Sequence, residues 1–131
     1  MRLNLDCVRD LLLTLEEHLI IDNEKNIHLL YLDDVQKMEL MKRHTCSDIV
    51  YCSLKLIEAG LVVASVYKNR EYVGDILFET LTYQGHIYLD SIRNKDIWEK
   101  AKIKIKKIGE LSSLKIVSAV AEKLLIQSLG L

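Results

Sequence analysis

The 131-residue sequence predicts one mostly helical α+β domain, and three observations predict it. Apolar residues recur at spacings of three and four at both ends of the chain, the mark of amphipathic helices. Two runs rich in β-branched and aromatic residues, Leu61 to Tyr67 and Ile76 to Leu81, flank the polar stretch Lys68, Asn69, Arg70, Glu71 and Gly74, and so predict an antiparallel hairpin. Capping residues precede the apolar-periodic segments, and glycines follow several of them.

The first helix is expected from about Leu5 to Leu19, with Val8, Leu11, Leu12, Leu15 and Leu19 inward and Asn4 as its cap. Leu3 is placed to staple onto Val8. Asp22 to Asn26 form a polar break, and Ile27 to Leu30 suit a short edge strand. Leu32, Val35 and Met38 to Met41 predict a second helix, with Asp33 and Asp34 in its first turn, where acids complement the helix dipole. His44 and Thr45 interrupt it. Ser47 is the expected cap of a third helix, whose inner face would be Val50, Leu54 and Ile57 and which stops at Gly60.

After the hairpin, Thr82 caps a helix carrying Ile87, Leu89 and Ile92, and Asp96 with Glu99 forms a capping-box pattern for the next. In that segment Lys102 to Lys106 alternate like a strand, but the length, the cap and the stop at Gly109 favour a helix. A last helix is expected from Ser112 or Ser113, with Val117, Val120, Ala121, Leu124 and Ser128 on one face. The order helix, strand, helix, helix, hairpin, helix predicts a winged helix-turn-helix core over about 5–92. A helical extension follows over about 93–131, within one domain spanning 1–131.

Composition bounds the function. Half the residues are hydrophobic, 28% are charged and proline is absent, an ordinary globular balance. No apolar run approaches the ~18 residues that span a bilayer, and MRLNLDCVRD has acids where a signal peptide needs its apolar stretch. A cytoplasmic protein without membrane contact is expected. Cys7, Cys46 and Cys52 lack CxxC spacing, so reduced thiols are the simplest reading. Charge is uneven: residues 1–92 are net −6, and residues 93–131 are net +5, an asymmetry that can set a basic face beside an acidic one.

LNLDCVRDLLLTLEE, SLKLIEAGLV and LTYQGHIYLDSIRNKDIWEKAKIKIKKIG together resemble a bacterial and phage-associated family known as domain of unknown function 2513. Its most specific element here is LT-x-x-GH-x-x-LDSIR followed by tryptophan. The resemblance implies a winged-helix-like core and no assigned activity. In the family a histidine often follows the tyrosine in the helix before EAGL. Cys52 follows Tyr51 here, so no role for that histidine carries over.

Two function classes follow: a DNA-binding winged-helix protein, such as a phage or prophage transcriptional regulator, or a protein-interaction module on the same scaffold. For DNA, the third helix would present Ser47, Asp48, Tyr51 and Lys55 to the major groove, although base readers usually bring Arg, Lys, Asn or Gln. Lys42 and Arg43 would reach flanking phosphates. Lys68, Asn69 and Arg70 at the hairpin tip would enter a minor groove. Each has a plainer reading as a solvated surface.

Lys95, Lys102 and Lys106 share one helical face and Lys100, Lys104 and Lys107 an adjacent one. Dipole complementarity is the favoured reading of them over phosphate binding. Trp98 reads as a core or dimer anchor rather than a base-stacking platform, and with Val117 and Leu124 it is an expected contact of a homodimer, which would suit paired half-sites. His86 reads as a capping or packing residue. With no glycine-rich phosphate loop, paired metal-ligand motif or helix with two inward acids, no catalytic residue, metal or cofactor is assigned, and an enzyme is not expected.

Overall fold

Asn4 starts the first helix as its sequence position implies: its side-chain oxygen accepts the backbone N–H of Cys7 at 3.1 Å. The computed structural model describes residues 1–108 and 113–130. Among them are six α-helices and one three-stranded antiparallel sheet, a mostly helical α+β fold. The chain forms two compact units, Leu3–His86 and a second that begins at Ile87.

In the first unit, α1 (Leu5–His18) buries Cys7, Val8, Leu11, Leu12 and Leu15. It leads through a loop, bridged at Ile21 and Ile27, to β1 (Leu30–Tyr31). The expected strand therefore starts later than Ile27. The helix expected from Leu32 to Met41 is also divided. α2 spans Leu32–Gln36 and closes when the N–H groups of Lys37 and Met38 bond to the carbonyls of Asp34 and Val35. These three-residue bonds tighten the last turn, and a 3₁₀ turn over Glu39–Met41 follows. Leu32, Val35 and Met41 are buried, so the apolar spacing marked burial but not a continuous α-helix.

α3 runs over Cys46–Glu58. Thr45, not Ser47, is its cap, with the Asp48 N–H donating to Thr45 Oγ1 at 3.2 Å. The inner face is Ile49, Cys52, Ser53 and Leu56, while Val50, Leu54 and Ile57 are half-buried. The expected face was off by one residue, because small Cys52 and Ser53 lie inward and the Ser53 hydroxyl satisfies itself on the Ile49 carbonyl at 2.6 Å. At the far end Gly60 adopts φ +75. Its N–H bonds to Ile57 and that of Leu61 to Leu56, the paired closure in which a left-handed residue favours glycine.

β2 (Val62–Asn69) and β3 (Tyr72–Leu81) form the hairpin, and the sheet order is β1-β3-β2. Both strands run further toward the tip than composition suggests, because ladder bonds use the backbone and admit polar side chains. The turn shrinks to Arg70 and Glu71, with Arg70 at φ +55. Tyr67 pairs with Asp75 and Lys68 with Val73, so Gly74 is the extra residue of a bulge. Ile76 and Phe78 point into the core.

α4 (Tyr83–Ile92) is capped by Thr82 as expected, with the Gly85 N–H donating to Thr82 Oγ1 at 3.0 Å. Thr82 also donates its hydroxyl to the Gly60 carbonyl at 2.6 Å, tying the end of α3 to the start of α4. A Cβ on Gly85 would collide with the Leu61 carbonyl, which explains the glycine of LT-x-x-G as a close approach.

In the second unit, α5 (Lys95–Ile108) is helical despite its alternating lysines: Ile97, Trp98, Ala101 and Ile105 are buried at helical spacing while Ile103 is exposed. Its cap is Asn94 rather than Asp96, since Asn94 Oδ1 accepts the Ile97 N–H at 3.1 Å. The expected stop at Gly109 lies outside the described residues. α6 (Leu114–Ser128) begins on Ser113, packs against α5 and buries Val117 and Ala121. Among the described residues, no helix is long and apolar enough to cross a membrane.

Candidate nucleic-acid interface

The cations before and along α3 are held by acids of their own unit. Arg43 donates to Oδ2 of Asp10 from Nη2 at 2.7 Å and from Nε at 2.9 Å, and His44 Nε2 reaches the same oxygen at 2.7 Å. Asp10 is only 2% exposed and sits on the inner face of α1. A lone carboxylate there would carry a large desolvation cost, so the pair is a structural requirement. The same bond to Asp10 raises the Arg43 pKa. Sequence reading missed this cluster. The signal was present, however, since Asp10 is three residues past Cys7 and four before Thr14, in the middle of a buried stripe.

Lys42 pairs with Glu39 at 3.3 Å. Lys55 pairs with Glu58 at 2.9 Å and lies 5.5 Å from the Tyr51 ring centroid. Both are solvent-screened surface pairs, and a phosphate could replace either acid. Ser47 is exposed, with its hydroxyl 3.2 Å from that of Thr45. Asp48 accepts the Asn4 side-chain amide at 3.2 Å. The front of α3 is thus a locally satisfied surface anchored to α1.

The hairpin tip differs. Lys68, Asn69 and Arg70 are all exposed, and neither Lys68 nor Arg70 makes an ion pair among the described residues. Asn69 and Tyr72 are direct cross-strand partners, and Tyr67 lies two residues before Asn69 on the same face. Tyr72 is 69% exposed and Tyr67 is exposed with it. Sequence analysis assigned the tip's cations and missed these two tyrosines. The symmetric string Tyr-Lys-Asn-Arg-Glu-Tyr was the available signal, but only the register shows that the rings share a face.

Cys7 and Cys52 are free, buried thiols close enough for one to hydrogen-bond the other. That hydrogen bond, with burial, pushes the Cys7 pKa up, and it lowers that of Cys52. Cys52 Sγ also donates to the Asn4 carbonyl at 3.6 Å. His86 faces Glu16 at 3.6 Å. In the second unit Lys102 pairs with Glu99 at 3.2 Å and lies 5.7 Å from the Trp98 ring, while Lys95, Lys100, Lys104, Lys106 and Lys107 are exposed. Of the expected dimer contacts, Trp98 and Val117 are buried within the chain and Leu124 is half-buried.

The family model described as "Hypothetical protein (DUF2513)" matches residues 2–111. An uncharacterized protein of Haemophilus influenzae is 34% identical over 85 residues, covering 64% of this chain and 71% of that protein. No solved structure matches the chain. The match begins ahead of α1 and runs through the hairpin and all of α5, and the chain belongs to the DUF2513 family.

Proposed function

We propose that this is a winged-helix DNA-binding protein that grips a duplex mainly through its hairpin, acting as a phage or prophage transcriptional regulator. The order helix, strand, helix, helix, hairpin with strands arranged β1-β3-β2 supports the winged-helix reading. Fold alone does not carry function. The observation that carries it is the tip: Arg70 on the two-residue turn and Lys68 at the end of β2, neither in an ion pair among the described residues, beside two exposed tyrosines. Lys68 and Arg70 would contact phosphates or a narrow minor groove, and the tyrosines would lie against sugars. A two-fold dimer would present two hairpins to paired half-sites, as a regulator requires.

A protein-interaction module is the second reading, and a specific observation favours it. The first unit carries eight Lys and Arg against fourteen Asp and Glu over residues 3–86, and the cations at α3 are already paired. A salt titration on random-sequence duplex DNA separates the two. With two phosphates neutralised by the tip, log K should fall with log salt at a slope of about −1.8. Absence of binding at ~50 mM salt would leave the interaction module as the function.

A further inference from the structure

The loop between α1 and β1 builds an apolar groove in the first unit. Asp22 pins this loop: its carboxylate accepts the N–H groups of Glu24 and Asn26 at 2.9 Å, the Asn26 amide at 3.2 Å, and bonds the His28 ring at 3.0 Å. The pinned loop holds out Ile21 and Ile27, 70% and 66% exposed, beside Ile20 and Leu29. With Glu79 of β3 at the rim, these residues line a groove of about 420 Å³. Contiguous exposed aliphatic side chains beside a polar residue are the kind of surface that a partner covers. Glu79 is exposed and has no cation partner among the described residues. The fitting occupant is an aliphatic side chain set among cations.

The second unit of this same chain carries such a group. Ile103 of α5 is 56% exposed while the other apolar residues of that helix with described side chains are buried. Lys100 and Lys107 lie about one turn before and after it, with Lys104 and Lys106 beside them, and all four are exposed. Overall charge follows the same division, acidic over residues 3–86 and net +5 over residues 93–131.

We propose that the groove takes α5 of a second copy of this chain, with Ile103 entering between Ile21 and Ile27 and the surrounding lysines facing Glu79. Each copy owns one groove and one α5, so a reciprocal two-fold exchange would occupy both grooves. Trp98 and Val117, buried in their own chain, have no part in this surface. The inference is independent of DNA binding, because no residue of the hairpin tip belongs to it.

Sedimentation equilibrium of the full chain without DNA tests it. A reversible dimer is expected that weakens between ~0.1 M and ~1 M salt, as the Debye length falls from ~10 to ~3 Å. Ile21→Ser and Ile103→Ser should each weaken it by ~10-fold or more, given the apolar area each removes from both symmetric contacts. Glu79→Lys should weaken it through charge alone. An equimolar mixture of the Ile21→Ser and Ile103→Ser chains should associate more tightly than either variant by itself, since the mixed dimer keeps one intact contact. All three side chains are exposed, so circular dichroism should be unchanged. The proposal is overturned by a monomer at every concentration, by a dimer indifferent to these substitutions, or by a mixture no tighter than its parts.

Discussion

Arg43 Nη2 lies 2.7 Å from Oδ2 of Asp10, and that one contact turns an apparent DNA-facing cation into part of the scaffold. Arg43→Ala should lower stability by about 1–2 kcal/mol, because buried Asp10 would keep His44 as its partner, and the guanidinium is itself partly exposed. Lys42→Ala, next in sequence, should change stability by less than ~0.5 kcal/mol. Urea unfolding of the two variants checks this. Equal stabilities would mean that Arg43 is only a surface charge.

Gly85→Ala should destabilise the fold by about 1–3 kcal/mol, since the added methyl must displace the Leu61 carbonyl or the start of α4. Gly74→Ala, whose Cβ would meet Tyr67 O at an ordinary 3.5 Å, serves as the control. Thermal unfolding should separate them clearly. An unchanged midpoint for Gly85→Ala would show that α4 does not approach Leu61 this closely.

Arg70 combines a strained backbone with the proposed contact, so one substitution separates the two. At φ +55 a glycine is more comfortable than arginine. Arg70→Gly should leave stability unchanged or raised by a few tenths of a kcal/mol, while DNA affinity falls and the salt slope becomes about 0.9 shallower. Lys68→Ala should reduce the slope by the same amount. If Arg70→Gly binds as tightly as the parent, the hairpin tip is not at the phosphates.

Asp22 gives a pH signature confined to its loop. Its bond to the His28 ring, and then the Asn26 N–H, hold the carboxyl at about 2, against an ordinary 3.8. A depressed acid contributes order that is present above the unfolded pKa and is lost as pH falls through the folded one. The loop should therefore hold above 3.8 and loosen as pH drops toward about 2. Carboxyl-carbon NMR should place the Asp22 midpoint near 2, and Asp22→Asn should abolish the transition in the Glu24 and Asn26 amides. A midpoint near 3.8 would mean the carboxylate does not hold the loop.

Much of the architecture could be read from local pattern. The Asn4, Thr82 and Ser113 caps, the Gly60 stop and the two β-rich runs each depend on residues within a few positions of one another, where steric and hydrogen-bond preferences act directly. Pattern failed where neighbours in space decided. Two apolar stripes compete on α3, and the one holding Cys52 and Ser53 is buried because small side chains fit the inner position. Likewise Leu32 to Met41 has helical spacing, yet the chain breaks after Gln36.

The sequence by itself determined the helices, the hairpin, their order and the charge asymmetry, because these follow from periodicity, capping chemistry and composition. Only the tertiary structure decided which cations are spent and which are free. Arg43 is sequestered by a carboxylate 33 positions away, while Lys68 at the end of β2 and Arg70 on the turn have no ion-pair partner among the described residues. The placement of Tyr67 and Tyr72 on one face, and of Ile21 beside Ile27, likewise depends on strand register and a folded loop. Such pairings are set by closure of the chain over distances at which no local propensity acts.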